Sequence, residues 1–319
     1  MVAQATGAEN EGDLLALDGD TRLLVIAPHP DDETLATGGL LQQAHEQGAV
    51  VSVFMLTHGD NNPWPQRWVE KRFRIGPVER RRWGQRRLAE AHRAIARLGL
   101  DESSLVSPGW PDLELTDMLL TQGDAMRSVL CAHLAEFDPD LVLIPALADA
   151  HPDHSVAHLM TLEALRALGM RTRCLEYLIH GTPSHTGVHR LVLTPRQFER
   201  KRNAVLAYDS QMALSRKRFL HLVDAEERYQ AVNLTGDVPG TGLPWRVPWW
   251  LRWCCEVLVH ADGSARVEAV PASGRITDLL SPAADSTAPV YLKLRLRWRS
   301  AWIFDYWGWR RLDRARLCR

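Results

Sequence analysis

Apolar positions along the first two thirds of the chain follow two alternating textures. The runs Leu23-Leu24-Val25-Ile26, Val50 to Leu56 and Leu141-Val142-Leu143-Ile144 are nearly continuous, as in strands buried on both faces. Between them the spacing is helical. Leu35, Leu40, Leu41 and Ala44 mark one face of Glu33 to Gln47, with Gly48 as a stop. Further helices are predicted over Val78 to Leu98, Gln122 to Glu136, Ser155 to Leu168 and Pro195 to Ala207, the last with proline in its first turn. Cys174 to His180 reads as another strand. Strand, helix, strand is the unit of a parallel sheet, so the pattern predicts an α/β, Rossmann-like three-layer fold with a mostly parallel sheet. Thr57 to Pro77, with Gly59, Asn61, Asn62, Pro63, Pro65 and Gly76, reads as a loop forming a rim or lid.

Beyond Gly236 the texture changes. Pro239, Gly240, Gly242, Pro244 and Pro248 crowd together, Trp becomes frequent, and Tyr291 to Trp298 alternates apolar residues with Lys293, Arg295 and Arg297. A period of two predicts an amphipathic strand. The expected division is therefore a lead-in at 1–20, an α/β domain at 21–235 and a smaller β-rich extension at 236–319.

Composition narrows the class. A chain of 319 residues with 45% hydrophobic content can bury a substantial core. Lys and Arg (38) balance Asp and Glu (39), which argues against a whole-molecule electrostatic partner such as nucleic acid. Five cysteines without a C-x-x-C pair fit neither a disulfide framework nor a thiolate zinc site, and point to a reducing, cytoplasmic setting. The acidic first twenty residues make a poor signal peptide, and no stretch approaches the roughly 20 apolar residues of a membrane-spanning helix.

Two clusters carry the chemistry. The first strand is followed by Ala27-Pro28-His29-Pro30-Asp31-Asp32-Glu33, and the strand at Leu141 by His151-Pro152-Asp153-His154. Open α/β sheets place their sites at such strand ends. A catalytic zinc takes three protein ligands and keeps one position open; His29 with Asp31 or Asp32, plus His151 or His154, supplies that set. Hydrolysis also needs a carboxylate to deprotonate water and an imidazole to protonate the leaving group or steady an oxyanion. The plainer explanation is that Asp31 and Asp32 cap the next helix and that the second cluster is a polar turn. Two clusters at two strand ends weigh against it.

These residues resemble the PIG-L/LmbE-like metal-dependent deacetylases, which remove an acetyl group from N-acetylglucosaminyl compounds. The resemblance extends to Arg87-x-x-Glu90 with Ala94 and Leu98-Gly99, to Pro111-Asp112, and to Lys201-x-x-Ala204 with Ser210-Gln211, over about residues 22–215. It implies that His29, Asp32 and His154 hold zinc, that Asp31 is the general base, that His151 is the acid or oxyanion-stabilising group, and that Asp153 orients His151. Arg87 and Asp112 match positions that contact the sugar. Tyr208 departs from the family, which often has histidine before x-Ser-Gln. Histidine and carboxylate ligands suit iron(II) as well as zinc.

The expected function is thus a hydrolase that removes the N-acetyl group from an amino-sugar glycoconjugate, free, phosphorylated or lipid-linked. Alternatives are another amide or ester substrate for the same apparatus, or a non-catalytic glycan-binding protein at a membrane. A dinucleotide site is disfavoured, because the first strand lacks the glycine-rich turn. The basic run from Lys71 to Arg87 reads as a solvated helix face, with phosphate or membrane binding as the sharper alternative. In the tail, Trp245, Trp249, Trp250, Trp253, Trp298, Trp302, Trp307 and Trp309 sit among Arg252, Arg295, Arg297, Arg299, Arg310, Arg311, Arg314 and Arg316. Core packing explains many of these tryptophans, while the mixture also suits peripheral contact with the inner face of a membrane. His58 is placed for a substrate loop, and His158 reads as a buried histidine.

Overall fold

A computed structural model describes residues 15–182, 187–234, 242–280, 288–298, 304–305 and 307–313. Most of the predicted lead-in, the expected boundary at 236, and Arg299, Trp302, Arg314 and Arg316 lie outside the described residues.

The α/β part runs β1 (Arg22–Ala27), α1 (Asp32–Glu46), β2 (Val50–Met55), α2 (Pro63–Glu70), α3 (Pro77–Leu98), β3 (Leu105–Val106), α4 (Leu115–Phe137), β4 (Leu141–Pro145), α5 (Pro152–Leu168), β5 (Arg173–Tyr177), β6 (Val188–Val192), α6 (Pro195–Val205), α7 (Asp209–Leu220) and β7 (Glu226–Ala231). These strands form one seven-stranded sheet in the order β3-β2-β1-β4-β5-β7-β6. The pairs from β3 through β5 are parallel, while β7 and β6 add an antiparallel edge that the hydrophobic pattern did not predict.

Side chains alternate across this sheet as strand geometry requires. Leu23, Val25 and Ala27 of β1 pack with α1 and α3 on one face, and Leu24 and Ile26 with α4 and α5 on the other. The chain leaves β1 for β2 on one side and later returns to β4 on the other, so the strand order reverses between β1 and β4. That is the crevice where ligands enter open α/β sheets, and both sequence clusters open onto it.

Two predicted elements differ. The segment expected to be a loop from Thr57 to Pro77 contains α2, started by the Asn62 side chain accepting from Trp64 N and by Pro63 in the first turn; proline reads as a breaker when it begins a helix. The helix expected from Gln122 starts at Leu115 and crosses non-helical angles at Gln122.

The C-terminal region forms a separate antiparallel sheet of β8 (Cys255–Ala261), β9 (Ser264–Ala269), β10 (Val290–Leu296) and β11 (Arg310–Leu312), ordered β11-β10-β8-β9. Val290, Leu292 and Leu294 fill the core of this unit. The opposite face of β10, which the amphipathic pattern assigns to water, is largely covered. Tyr291 joins Leu258 and Trp309 in the cluster around α4 and α5, and Lys293 is 2% exposed. Alternation along β10 separates two buried environments, one apolar and one shared with the α/β part. No helix among the described residues is long and apolar enough to cross a membrane.

Candidate active site

The turn after β1 is held in a strained shape. Asp31 has φ 118°, ψ −30°, and its side chain makes no capping hydrogen bond to α1. A non-glycine residue in such a region costs about 1–3 kcal/mol and persists only when its surroundings enforce it. Here Asp31 N donates to Glu33 Oε2 at 3.2 Å, His29 N donates to Asp32 Oδ2 at 2.9 Å, and Arg87 Nη2 donates to Pro30 O at 2.8 Å. Capping therefore does not account for the Asp31 carboxylate. Glu33 is fully buried and accepts from Thr34 Oγ1 and from the hydroxyl of Tyr208, the position where this chain departs from the family pattern.

After β4, Asp149 fastens the second turn. It accepts from His151 N at 2.9 Å, Ile179 N at 3.1 Å and His180 N at 3.0 Å. His151 is the N-cap of α5, its Nδ1 accepting from Asp153 N at 3.2 Å. That bond leaves the neutral ring's proton on Nε2.

The two turns meet. His29 Nδ1, Asp32 Oδ2 and His154 Nε2 form a triangle with sides of 3.2, 3.1 and 3.3 Å. Two imidazole nitrogens and a carboxylate oxygen facing one another in a buried site suit a shared proton or a cation between them. Tetrahedral bonds of about 2.0–2.1 Å to zinc separate ligand atoms by about 3.3 Å, so the triangle has the size such an ion needs. The other ring nitrogens face carboxylates, as expected around metal-binding histidines. His29 Nε2 lies 3.1 Å from Asp112 Oδ1 and 3.2 Å from Asp153 Oδ2. His154 Nδ1 lies 3.1 Å from Asp149 Oδ2, an ion-pair contact not aligned as a hydrogen bond. Overlapping groups that also draw donor atoms within 4.8 Å are His29, His151 and His154; Asp32, His154 and His180; and His29, Asp112 and Asp153.

The electrostatics agree. Asp31, Asp32, Glu33, Asp112, Asp149 and Asp153 are buried around one buried guanidinium, Arg87. Burial lowers the pKa of His154, but Asp149 and Asp32 outweigh it and push it up to about 10. Burial raises Asp31 to about 8, with Arg87 opposing and Asp32 and Glu33 adding to the rise. His151 is held well below the usual imidazole range by burial and then by His29, His154 and His180.

Two of the expected site residues make further contacts. Asp153 was expected to orient His151 through its carboxylate. That carboxylate instead accepts from Leu113 N at 2.8 Å and Leu115 N at 3.3 Å and faces His29; only the backbone N–H of Asp153 reaches His151. At the start of α5 its side chain binds the loop before α4. Asp112, expected at the sugar, is also bound to His29 and to Asn61 N at 2.9 Å.

Arg87 donates to Gly59 O at 2.8 Å, and its Nη2 lies 3.4 Å from Asp31 Oδ2. With its amide oxygen turned toward the guanidinium, Gln211 accepts from Nε at 2.8 Å and Nη2 at 2.9 Å. Ser210 binds Glu90 through both N and Oγ, so the separated fragments Arg87-x-x-Glu90 and Ser210-Gln211 close on each other. His58 is directed to Ser107 Oγ at 3.1 Å and does not line the site cavity. His158 is buried, with Nδ1 2.9 Å from Pro145 O.

A cavity of about 190 Å³ opens over the triangle. His29, Asp31, Asp32, Arg87, Asp112 and His151 form its polar side, while Leu113, Ile179, Phe219, Leu222 and Phe304 supply an apolar wall. Cavities of about 270 and 390 Å³ elsewhere are larger but contain no comparable cluster. Three functional candidates carried no sequence signal of their own: Asp149, His180 and Phe304. The Phe304 ring lies 6.1 Å from His151 and 5.1 Å from His180, centroid to centroid. It is fixed by Asp305 N donating to Ala150 O at 2.7 Å and by the ion pair of Asp305 with the buried Lys293, so the C-terminal unit reaches the rim.

Residues 24–165 match the family described as PIG-L, GlcNAc-PI de-N-acetylase. The chain is 30% identical over 163 residues to a 1D-myo-inositol 2-acetamido-2-deoxy-alpha-D-glucopyranoside deacetylase of Mycolicibacterium vanbaalenii, covering 46% of this chain and 55% of that one. It spans about half the length of this and similar curated relatives. Among solved structures, the conserved protein TT1542 from Thermus thermophilus superposes with a TM-score of 0.51 at 25% identity, covering 72% of this chain and all of that one. The A40926 pseudoaglycone deacetylase Dbv21 superposes with a TM-score of 0.52 at 23% identity, covering 66% and 96%, and shares the fold. The likeness to the PIG-L family thus spans residues 24–165, the stretch that holds both clusters.

Proposed function

We propose that this protein is a metal-dependent hydrolase that releases acetate from an N-acetylglucosaminyl conjugate, cleaving a linear amide. The observation that carries the reading is the His29–Asp32–His154 triangle with the Asp31 carboxylate beside it in the same cavity. When bound there, zinc or iron(II) would supply Lewis acidity toward the acetamide carbonyl and toward water.

The remaining chemistry belongs to the chain. Asp31, which burial raises against the opposing charge of Arg87, lines the cavity beside the triangle, where a general base must stand. The proton it takes from the attacking water is then available to the departing amine. His151 is held neutral with its proton on Nε2, which suits it to donate a hydrogen bond to the developing oxyanion. Asp153 and Asp112 fix the ring of His29, and Asp149 that of His154. Arg87 and the unused lone pairs of Asp112 line the cavity for sugar hydroxyls, while Phe304 provides a ring for an apolar sugar face.

In this reading 21–235 is the deacetylase domain and 236–319 an extension that completes the rim, working on the cytoplasmic side of a membrane. Acetate release from free, phosphorylated and lipid-linked N-acetylglucosaminyl compounds tests it, with chelator-treated protein as control. Acetate formed only from amino-sugar substrates, lost on chelation and restored by metal, is expected. Cleavage of unrelated amides or esters in preference would overturn the substrate class.

A further inference from the structure

A surface beside the cavity has the composition of a membrane contact. Trp64, Trp68 and Phe73 are 62%, 69% and 86% exposed, and Val78 is 59% exposed. Arg67 bridges two of these rings, its guanidinium 5.0 Å from the Trp64 ring centre and 5.6 Å from that of Phe73. Exposed aromatic groups of this size mark interaction sites. Between residues 63 and 82 stand Arg67, Lys71, Arg72, Arg74, Arg80, Arg81 and Arg82 against Glu70 and Glu79. Those two acids are taken by Arg82 and Arg72. Lys71, Arg74 and Arg81 are exposed and make no ion pair among the described residues.

We propose that this face of α2 and the start of α3 docks on an anionic phospholipid bilayer. Tryptophan rings settle at headgroup level, and unpaired basic residues beside them add attraction to anionic lipid. A purely solvated charged face would not expose three large rings within ten residues. Position adds a second argument. Asn62, the N-cap of α2, lines the cavity, and α7, which packs on α2, brings Phe219 and the following Leu222 to the cavity's apolar wall. Leu222 is 43% exposed, so the apolar wall reaches the protein surface. A substrate with an acyl chain would pass from the bilayer to the polar cluster along that path. The purpose of docking rests on the deacetylase reading; the docking itself does not.

The other exposed aromatic group, Trp249, Trp250, Trp253 and Trp298, lies on the C-terminal unit and contributes no residue to the site cavity. It is the site the tail composition pointed to, and it serves as the comparison.

Co-sedimentation of the full chain with vesicles of phosphatidylcholine, alone or mixed with phosphatidylglycerol, tests the proposal. Binding to the mixed vesicles, released by salt, is expected. Changing Lys71, Arg74 and Arg81 together to Gln should weaken partitioning roughly a hundredfold. Trp64→Ser with Trp68→Ser and Phe73→Ser should also release the protein. All six side chains are exposed, and unchanged circular dichroism and melting confirm folding. Indifference to phosphatidylglycerol, loss of binding through Trp249→Ser with Trp253→Ser instead, or retention of single-stranded RNA in preference to vesicles would each overturn it. Acetate release from a short, water-soluble N-acetylglucosaminide is expected unchanged in both α2–α3 variants, so docking and deacetylation fail in separate measurements.

Discussion

Asp153 Oδ2 stands 3.2 Å from Nε2 of His29, the ring nitrogen that Asp32 does not use. The carboxylate orients a ligand of the proposed metal and leaves His151 to a backbone N–H. Asp153→Asn should therefore lower metal affinity about 10–100-fold, the usual effect of losing a carboxylate behind a metal-binding imidazole. Isothermal titration with zinc checks this. Unchanged affinity with an altered pH profile would return Asp153 to His151.

Gly59 and Arg87 are a matched pair. Gly59 has φ +61°, and a Cβ there would stand 1.7 Å from Arg87 Nη1. Gly59→Ala must displace the guanidinium and strain the turn, and should cost about 2–4 kcal/mol of stability from αL strain and a lost charged hydrogen bond. Urea denaturation measures the loss. In the surviving folded enzyme KM should rise, because Arg87 lines the cavity, and kcat should fall, because Asp31 loses the charge that opposes the rise of its pKa.

Phe304→Ala tests whether the C-terminal unit helps to bind substrate. The ring sits against His151 and His180 but presents no titratable group. Its removal should raise KM about tenfold, comparable to an aromatic contact of about 1–1.5 kcal/mol, with kcat nearly unchanged. A fall in kcat at constant KM would contradict a binding role.

His158 gives a pH signature of folding. Burial lowers it from 6.5 to about 4, against the Pro145 carbonyl. The folded protein keeps the ring neutral, while the unfolded chain takes up a proton below about 6.5, so stability falls as pH drops from 6.5 toward 4. The contribution approaches about 3 kcal/mol at the acid end. His158→Gln should flatten that part of the stability curve, as denaturant titrations at several pH values would show.

The parallel sheet and both clusters were legible in the sequence because buried strands read as continuous apolar runs, and the proposed ligands stand in the turns after β1 and β4. Asp149 and His180 were not, since their roles depend on β5 lying beside β4 and returning His180 to the second turn. Lys293 misled because alternation reports two faces without saying what covers each. Phe304 becomes part of the site only through the Asp305 anchor, which no local pattern announces. The Asp31 backbone angle also left no trace: a helix cap and a catalytic carboxylate are written with the same residue.

The most direct measurement compares Asp31→Asn with the unaltered protein for bound metal and acetate release. Asn preserves the size of the side chain and leaves His29, Asp32 and His154 in place. The account predicts retained metal with turnover reduced at least about a hundredfold, the usual contribution of a general base. Near-normal turnover at full metal occupancy would contradict it.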